Sequence, residues 1–141
     1  MNAVDMNVLI YVHDDREPEK KALARELIDR LEEGLLLWQV ACEYVAAARK
    51  LAPQGYTPQN ARQDVDDLRH LWTTTLPSWK VFDRSAGLTE RYSLSSWDAL
   101  LVAACLEAGV ETLYTENFSG YREIDGLKVV NPFAQAAQSD E

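Results

Sequence analysis

Residues 94–105 read LSSWDALLVAAC, and between Asp98 and Glu107 no charged residue interrupts the run. A helix that is apolar on every side has no face to give to water, so it must lie inside a layered core. Ser95 is placed as its N-cap, with Asp98 three residues on in capping-box form. Gly109 stops it, and the strand ETLYT follows. A buried helix feeding a buried strand is the unit of α/β architecture, and the rest of the chain repeats it.

The first segment, NAV, reads as a short strand running into Asp5, followed by the helical pattern MNVLIYVH. DDREP is a charged turn, and Pro18 opens a helix through about Glu33. Gly34 ends that helix, and LLLW is a short buried strand. Val40, Tyr44, Ala47 and Leu51 recur at helical spacing. Thr57 as N-cap and Pro58 at the first helical position start a helix to about Leu76. Alternation and aromatic content at Trp79, Val81 and Phe82 predict a strand, then a short helix over 85–92 precedes the buried one. After ETLYT come a loop with an Asp125-Gly126 turn, a last strand LKVV, and NPF. The expectation is an α/β sandwich on a central, mainly parallel sheet. It forms one domain over residues 1–133, with a frayed or disordered tail over 134–141.

No uncharged stretch approaches the about 18 apolar residues of a membrane span, and the N-terminus lacks a signal-peptide layout, so a cytoplasmic protein is expected. Cys42 and Cys105 form no CxxC pair and read as reduced core residues. His13 and His70 are isolated, which argues against zinc; His13 reads as a helix-end residue. The net charge of −9 weakens a nucleic-acid reading, because phosphate contacts need Lys and Arg. It suits a cation site or a basic partner, while Arg49, Lys50, Arg84, Arg91 and Arg122 remain to line a local groove. Trp38, Trp72, Trp79 and Trp97 read as core or interface aromatics, with Trp97 the least free.

Four acids stand at corresponding places. Asp5 follows the first strand, Glu43 lies in the first turn of the helix after LLLW, Asp98 opens the buried helix, and Glu116 follows ETLYT. In a parallel sheet these strand ends and helix starts share one edge, where sites form. Solvated caps usually have polar neighbours; these acids lie in otherwise uncharged runs. Carboxylates gathered there cannot all stay ionised unless something neutralises them. A hard divalent cation, Mg²⁺ or Mn²⁺, is the natural occupant, and its chemistry suits phosphodiester cleavage.

The ordered set VDMNVLIY, Glu43, SSWDALLVAAC, EAGVETLYTEN and DGLKVVNPF resembles a PIN-domain ribonuclease of the VapC-like group in bacterial toxin–antitoxin pairs. The resemblance covers nearly the whole chain, and residues 50–80 carry little of it. It implies a PIN-like α/β/α sandwich and an Mg²⁺-dependent endoribonuclease, the toxin of such a pair, with an RNA substrate, a cognate antitoxin and a homodimeric state. It places Asp5, Glu43 and Asp98 at metal-binding positions, with Asn7 supporting the first acid and Thr115 orienting the site. VapC-like proteins often carry an acid where this chain has Asn117, so either Glu116 or Asn117 completes the site, with Glu116 slightly favoured.

A haloacid dehalogenase-type phosphatase would also start with an acid after the first strand, but it needs a second Asp at position 7, which is Asn7. A PIN-like module that binds RNA or a partner without cutting, and a structural domain whose acids are all caps, are the other readings.

Overall fold

The protein's structure, a computed structural model, describes residues 1–118 and 120–134. The expected tail lies outside the described residues beyond Ala134.

The chain opens with β1 (Asn2–Val4) and the short helix α1 (Met6–Tyr11). Helix α2 (Pro18–Arg30) starts at Pro18 as expected but ends before Glu33. The reversal is made by Glu33 itself, at φ 49°, and Gly34 is the first residue of β2 (Gly34–Leu37). Gly34 is therefore a site of close approach and not a helix stop: a Cβ there would meet the Trp72 ring at 2.5–2.6 Å. Trp38, expected to end the strand, instead opens α3 (Trp38–Ala47). A 3-10 segment (Ala48–Gln54) continues it to Gly55, whose φ of 86° turns the chain.

Helix α4 (Pro58–Leu71) begins with a full capping box. Thr57 Oγ1 accepts the Asn60 N–H at 3.1 Å, and Asn60 Oδ1 accepts the Thr57 N–H at 2.9 Å. It stops short of Leu76, because the β-branched run TTT forms the edge strand β3 (Thr73–Thr75). The strand expected around Trp79 is instead the start of α5 (Trp79–Tyr92). Ser78 caps it by accepting the Val81 N–H at 3.2 Å. Trp79 and Phe82 meet edge to face one helical turn apart, 5.5 Å between ring centres. That i, i+3 spacing, hidden under an apparent alternation, is the helical signal.

The buried helix is α6 (Ser96–Glu107), with Ala99, Leu101, Val102, Ala103 and Cys105 in the core. It packs chiefly against α5. Then come β4 (Thr112–Tyr114), β5 (Glu123–Ile124) and β6 (Leu127–Val130). The last two form a hairpin over the Asp125-Gly126 turn.

Among the described residues, six strands lie in the order β3-β2-β1-β4-β6-β5. All pairings are parallel except β5 with β6. From β1 the chain winds out through β2 to β3, then returns on the other side of β1 at β4. The order thus reverses between β1 and β4, and the crevice beyond their carboxyl ends is where such sheets place a site.

Candidate functional site

Asp5 leaves β1 at that crevice and caps α1, its Oδ1 accepting the Met6 N–H at 2.7 Å. Its own N–H donates to the Tyr114 carbonyl at 2.8 Å, tying the end of β1 to the end of β4. The next residue after β4, Thr115, donates its hydroxyl to Asp5 Oδ2 at 2.8 Å. Thr115 is fully buried and Asp5 only 5% exposed. Burial pushes the Asp5 carboxyl above the usual carboxylate range, and Asp98 adds to the push. Thr115, the Met6 N–H and the Asn117 side chain pull it back only in part.

Glu43, expected in the first turn of its helix, is the sixth residue of α3 because the helix already opens at Trp38. It is half-buried, and its carboxyl is raised first by burial and then by the charges of Asp5 and Asp98. Asp98 sits in the first turn of α6, its N–H donating to the capping Ser95 Oγ at 3.2 Å. Ser95 is thus the N-cap as expected, without the reciprocal Asp98 side-chain bond of a capping box, and Asp98 is left to act on Asp5 and Glu43. Gln39 links the two helices: its amide donates to Glu43 Oε1 at 3.4 Å and to the Trp97 carbonyl at 3.2 Å. Trp97 is 67% exposed and Trp38 half exposed. Trp97, expected to be the least free, is one of the freest tryptophans.

Glu116 does not join these three. Its Oε1 accepts the Tyr11 hydroxyl at 2.6 Å and its Oε2 accepts Lys20 Nζ at 3.0 Å. Asn117 faces the other way. Its side chain acts on the Asp5 carboxyl, favouring the ionised form, and its N–H donates to Thr115 Oγ1 at 3.1 Å. Asn7, two residues beyond Asp5, buries its amide Oδ1 with no hydrogen-bond partner among the described residues.

The cleft therefore gathers oxygen donors: the carboxylates of Asp5, Glu43 and Asp98, with the Asn117 amide beside Asp5. Such a set suits a hard divalent cation, and two carboxyls raised by burial and mutual repulsion are groups that a cation would relieve. Among the described residues, no three His, Cys, Asp or Glu side chains stand close enough to hold an ion by themselves. Sequence reasoning missed Gln39, Lys20 and Tyr11, whose relation to the acids depends on contacts across distant helices. Periodicity carries no signal for them.

The isolated side chains found other places. His13 Nε2 pairs with Asp64 at 2.7 Å and its ring stacks on Tyr56, while Tyr44 also donates to Asp64, at 3.0 Å. Cys105 is buried, but Cys42, expected in the core, is exposed. No helix among the described residues is long and apolar enough to cross a membrane.

The PIN domain family matches the chain over residues 3–127. No curated protein matches the sequence. Among solved structures, the fold is similar to a toxin–antitoxin complex from Klebsiella pneumoniae (22% identity, TM-score 0.69, 94% of this chain and 98% of that chain). It is similar to VapC20 of Mycobacterium tuberculosis, a sarcin–ricin-loop-cleaving toxin, at 14% identity and TM-score 0.66, covering 88% and 98% of the two chains. VapBC2 from Rickettsia felis, bound to a DNA fragment from its promoter, is similar at 14% identity and TM-score 0.63, covering 92% and 97%.

Proposed function

The chain belongs to the PIN domain family, and from that premise we propose that it is an Mg²⁺- or Mn²⁺-dependent endoribonuclease, the toxin of a toxin–antitoxin pair acting in the cytoplasm. The observation that carries the reading is Asp5. A buried carboxyl at the point where strand order reverses is raised by burial and by Asp98, while Glu43 is raised by burial and by Asp5. A fold keeps such a mutually repelling set where a cation is to be bound.

Asp5, Glu43 and Asp98 would hold the metal, with the Asn117 amide oxygen beside them and Asn7 behind the first acid. A hard divalent cation held there would supply Lewis acidity toward a phosphoryl oxygen and would make water a stronger acid. The chain's own residues provide position and charge. Met6 N–H and Thr115 fix both oxygens of Asp5, and Gln39 steadies Glu43 against the start of α6. Hydrolysis adds water across one P–O bond of the RNA backbone, and no covalent enzyme intermediate is needed.

Two partners complete the proposal. An antitoxin segment carrying an Arg would pair with the cleft carboxylates, in keeping with the net charge of −9. A second copy of the chain would cover the apolar groove of about 420 Å³ between α5, α6 and the start of α3, where Trp38, Trp79, Phe82 and Trp97 are exposed. The non-cutting reading keeps one observation, the neutral amide of Asn117 beside Asp5.

The test is cleavage of a structured RNA with Mg²⁺ or Mn²⁺ against a chelator control. Wild-type cleavage that is lost in both Asp5→Asn and Asp98→Asn supports the nuclease. Metal-independent cleavage, or equal cleavage by the variants, would refute it, and RNA binding without cleavage would favour the non-cutting module.

A further inference from the structure

Glu116 lies between the two residues that face Asp5, and its own side chain is turned away. Where a chain leaves a strand, successive side chains point to opposite sides. Thr115 is still held as an extension of β4, its N–H donating to the Val130 carbonyl at 2.9 Å. Directly after Asn117 the backbone turns, with Phe118 at φ 62°. The aim of residues 115 and 117 therefore depends on what fixes residue 116.

What fixes it is a clamp drawn from three other parts of the chain. Lys20 on α2 donates to Glu116 and, at 3.3 Å, to the Tyr11 hydroxyl at the end of α1. Its ammonium lies 4.8 Å from the centre of the Tyr11 ring and 5.7 Å from that of Phe133. Phe133 meets Tyr11 edge to face at 5.0 Å. Both Glu116 oxygens are taken, and the Lys20 and Glu116 side chains are 35% and 26% exposed. This pair is sheltered beyond the usual surface ion pair, and the aromatic rings limit where the ammonium can go.

We infer that Lys20 is a positioning residue for the acid cleft: by pinning Glu116 on the far side of the chain, it aims Thr115 and Asn117 at Asp5. The inference rests on the cleft's being the metal site proposed above. It makes a prediction opposite in sign to simple electrostatics. Removing a cation near a carboxylate cleft should tighten the binding of a divalent metal. Losing the clamp should weaken it, as loss of the groups that orient metal ligands does.

Mn²⁺ is titrated into the intact protein by calorimetry, without RNA. Lys20→Met is expected to weaken Mn²⁺ binding about tenfold, with Lys20→Arg restoring most of it. The Lys20→Met/Glu116→Gln double variant should bind no more weakly than Glu116→Gln alone, because the two residues act as one unit. Tyr11→Phe, which keeps the ring and the net charge, should weaken binding several-fold, and it serves if Lys20→Met fails to fold. Mn²⁺ binding that is unchanged or tighter in Lys20→Met, or unchanged in Tyr11→Phe, overturns the inference. A wild type that binds no Mn²⁺ overturns both the inference and the metal site beneath it.

Discussion

At the scale of single residues, Asp5 and Thr115 set the behaviour of the cleft. The folded pKa of Asp5 lies above its unfolded value of 3.8, and that of Glu43 above 4.5. The folded protein therefore binds more protons than the unfolded chain in this range. The stability these groups contribute is full below the unfolded values and is lost as pH rises through the folded ones. Asp5→Asn should accordingly melt higher than wild type at pH 7 in chelator, with the gain gone at pH 3. The amide oxygen can still accept the Met6 N–H, and the Thr115 hydroxyl can turn from donor to acceptor. A variant that melts lower at both pH values would mean that Asp5 is only a cap. Thr115→Val leaves Asp5 Oδ2 without its buried donor at nearly constant volume. Urea unfolding at pH 7 should show a loss of about 1–3 kcal/mol, shrinking under acid conditions as Asp5 takes up a proton.

Among the elements, β2 and α5 show how a local signal can be right in kind and wrong in cause. Gly34 reads as a helix terminator but is a strand residue under the Trp72 indole. Gly34→Ala should force that ring aside and cost about 1–3 kcal/mol, which a shift in denaturant midpoint would reveal. An unchanged midpoint would show that the ring yields freely. At the far end of α5, Arg91 holds Asp125 of the β5–β6 turn through two bonds at 2.7 and 2.8 Å, and Tyr92 donates to the same carboxylate at 2.7 Å. Arg91 first, then Tyr92, lowers the Asp125 pKa to about 2. Here the sign is the reverse of Asp5: the stabilisation is present above the unfolded value of 3.8 and lost as pH falls toward 2. Asp125→Asn should destabilise the protein at pH 7, with most of that difference gone at pH 2.

For the whole molecule, two equilibria follow from the surfaces it leaves open. Metal that binds only the folded state stabilises it, by about 2.7 kcal/mol at a hundredfold excess over Kd. Millimolar Mn²⁺ should thus raise the melting temperature, and Asp98→Asn should abolish most of the rise; an undiminished rise would remove Asp98 from the site. The other equilibrium is self-association. Trp79 is 79% exposed and Phe82 57%, beside the groove they share with Trp97. If a second copy covers them, sedimentation should give a mass near twice that of the chain, falling to the monomer in Phe82→Asp. A wild type that sediments as a monomer at every concentration would leave the groove to another partner.

What the sequence determined by itself was whatever depends on neighbours along the chain. The uncharged run of α6, the Thr57-Pro58 start of α4, the Asp125-Gly126 turn and the strand–helix alternation are local patterns. They were enough for the layered α/β fold, and they placed Asp5 and Asp98 at the starts of their helices, whereas Glu43 lies a turn and a half into α3. Tertiary structure decided what depends on residues far apart. Thr73–Thr75 became an edge strand because β2 was there to pair with it, against a helical reading of the same stretch. Trp97 stayed in water although its helix is buried, because it projects from the first turn past the end of the core. The side to which each of Glu116 and Asn117 turned was settled by Lys20 and Tyr11, 96 and 105 residues from Glu116 along the chain. Neighbouring side chains at a strand's end point apart, and only the groups that meet them in space decide which one faces the acids.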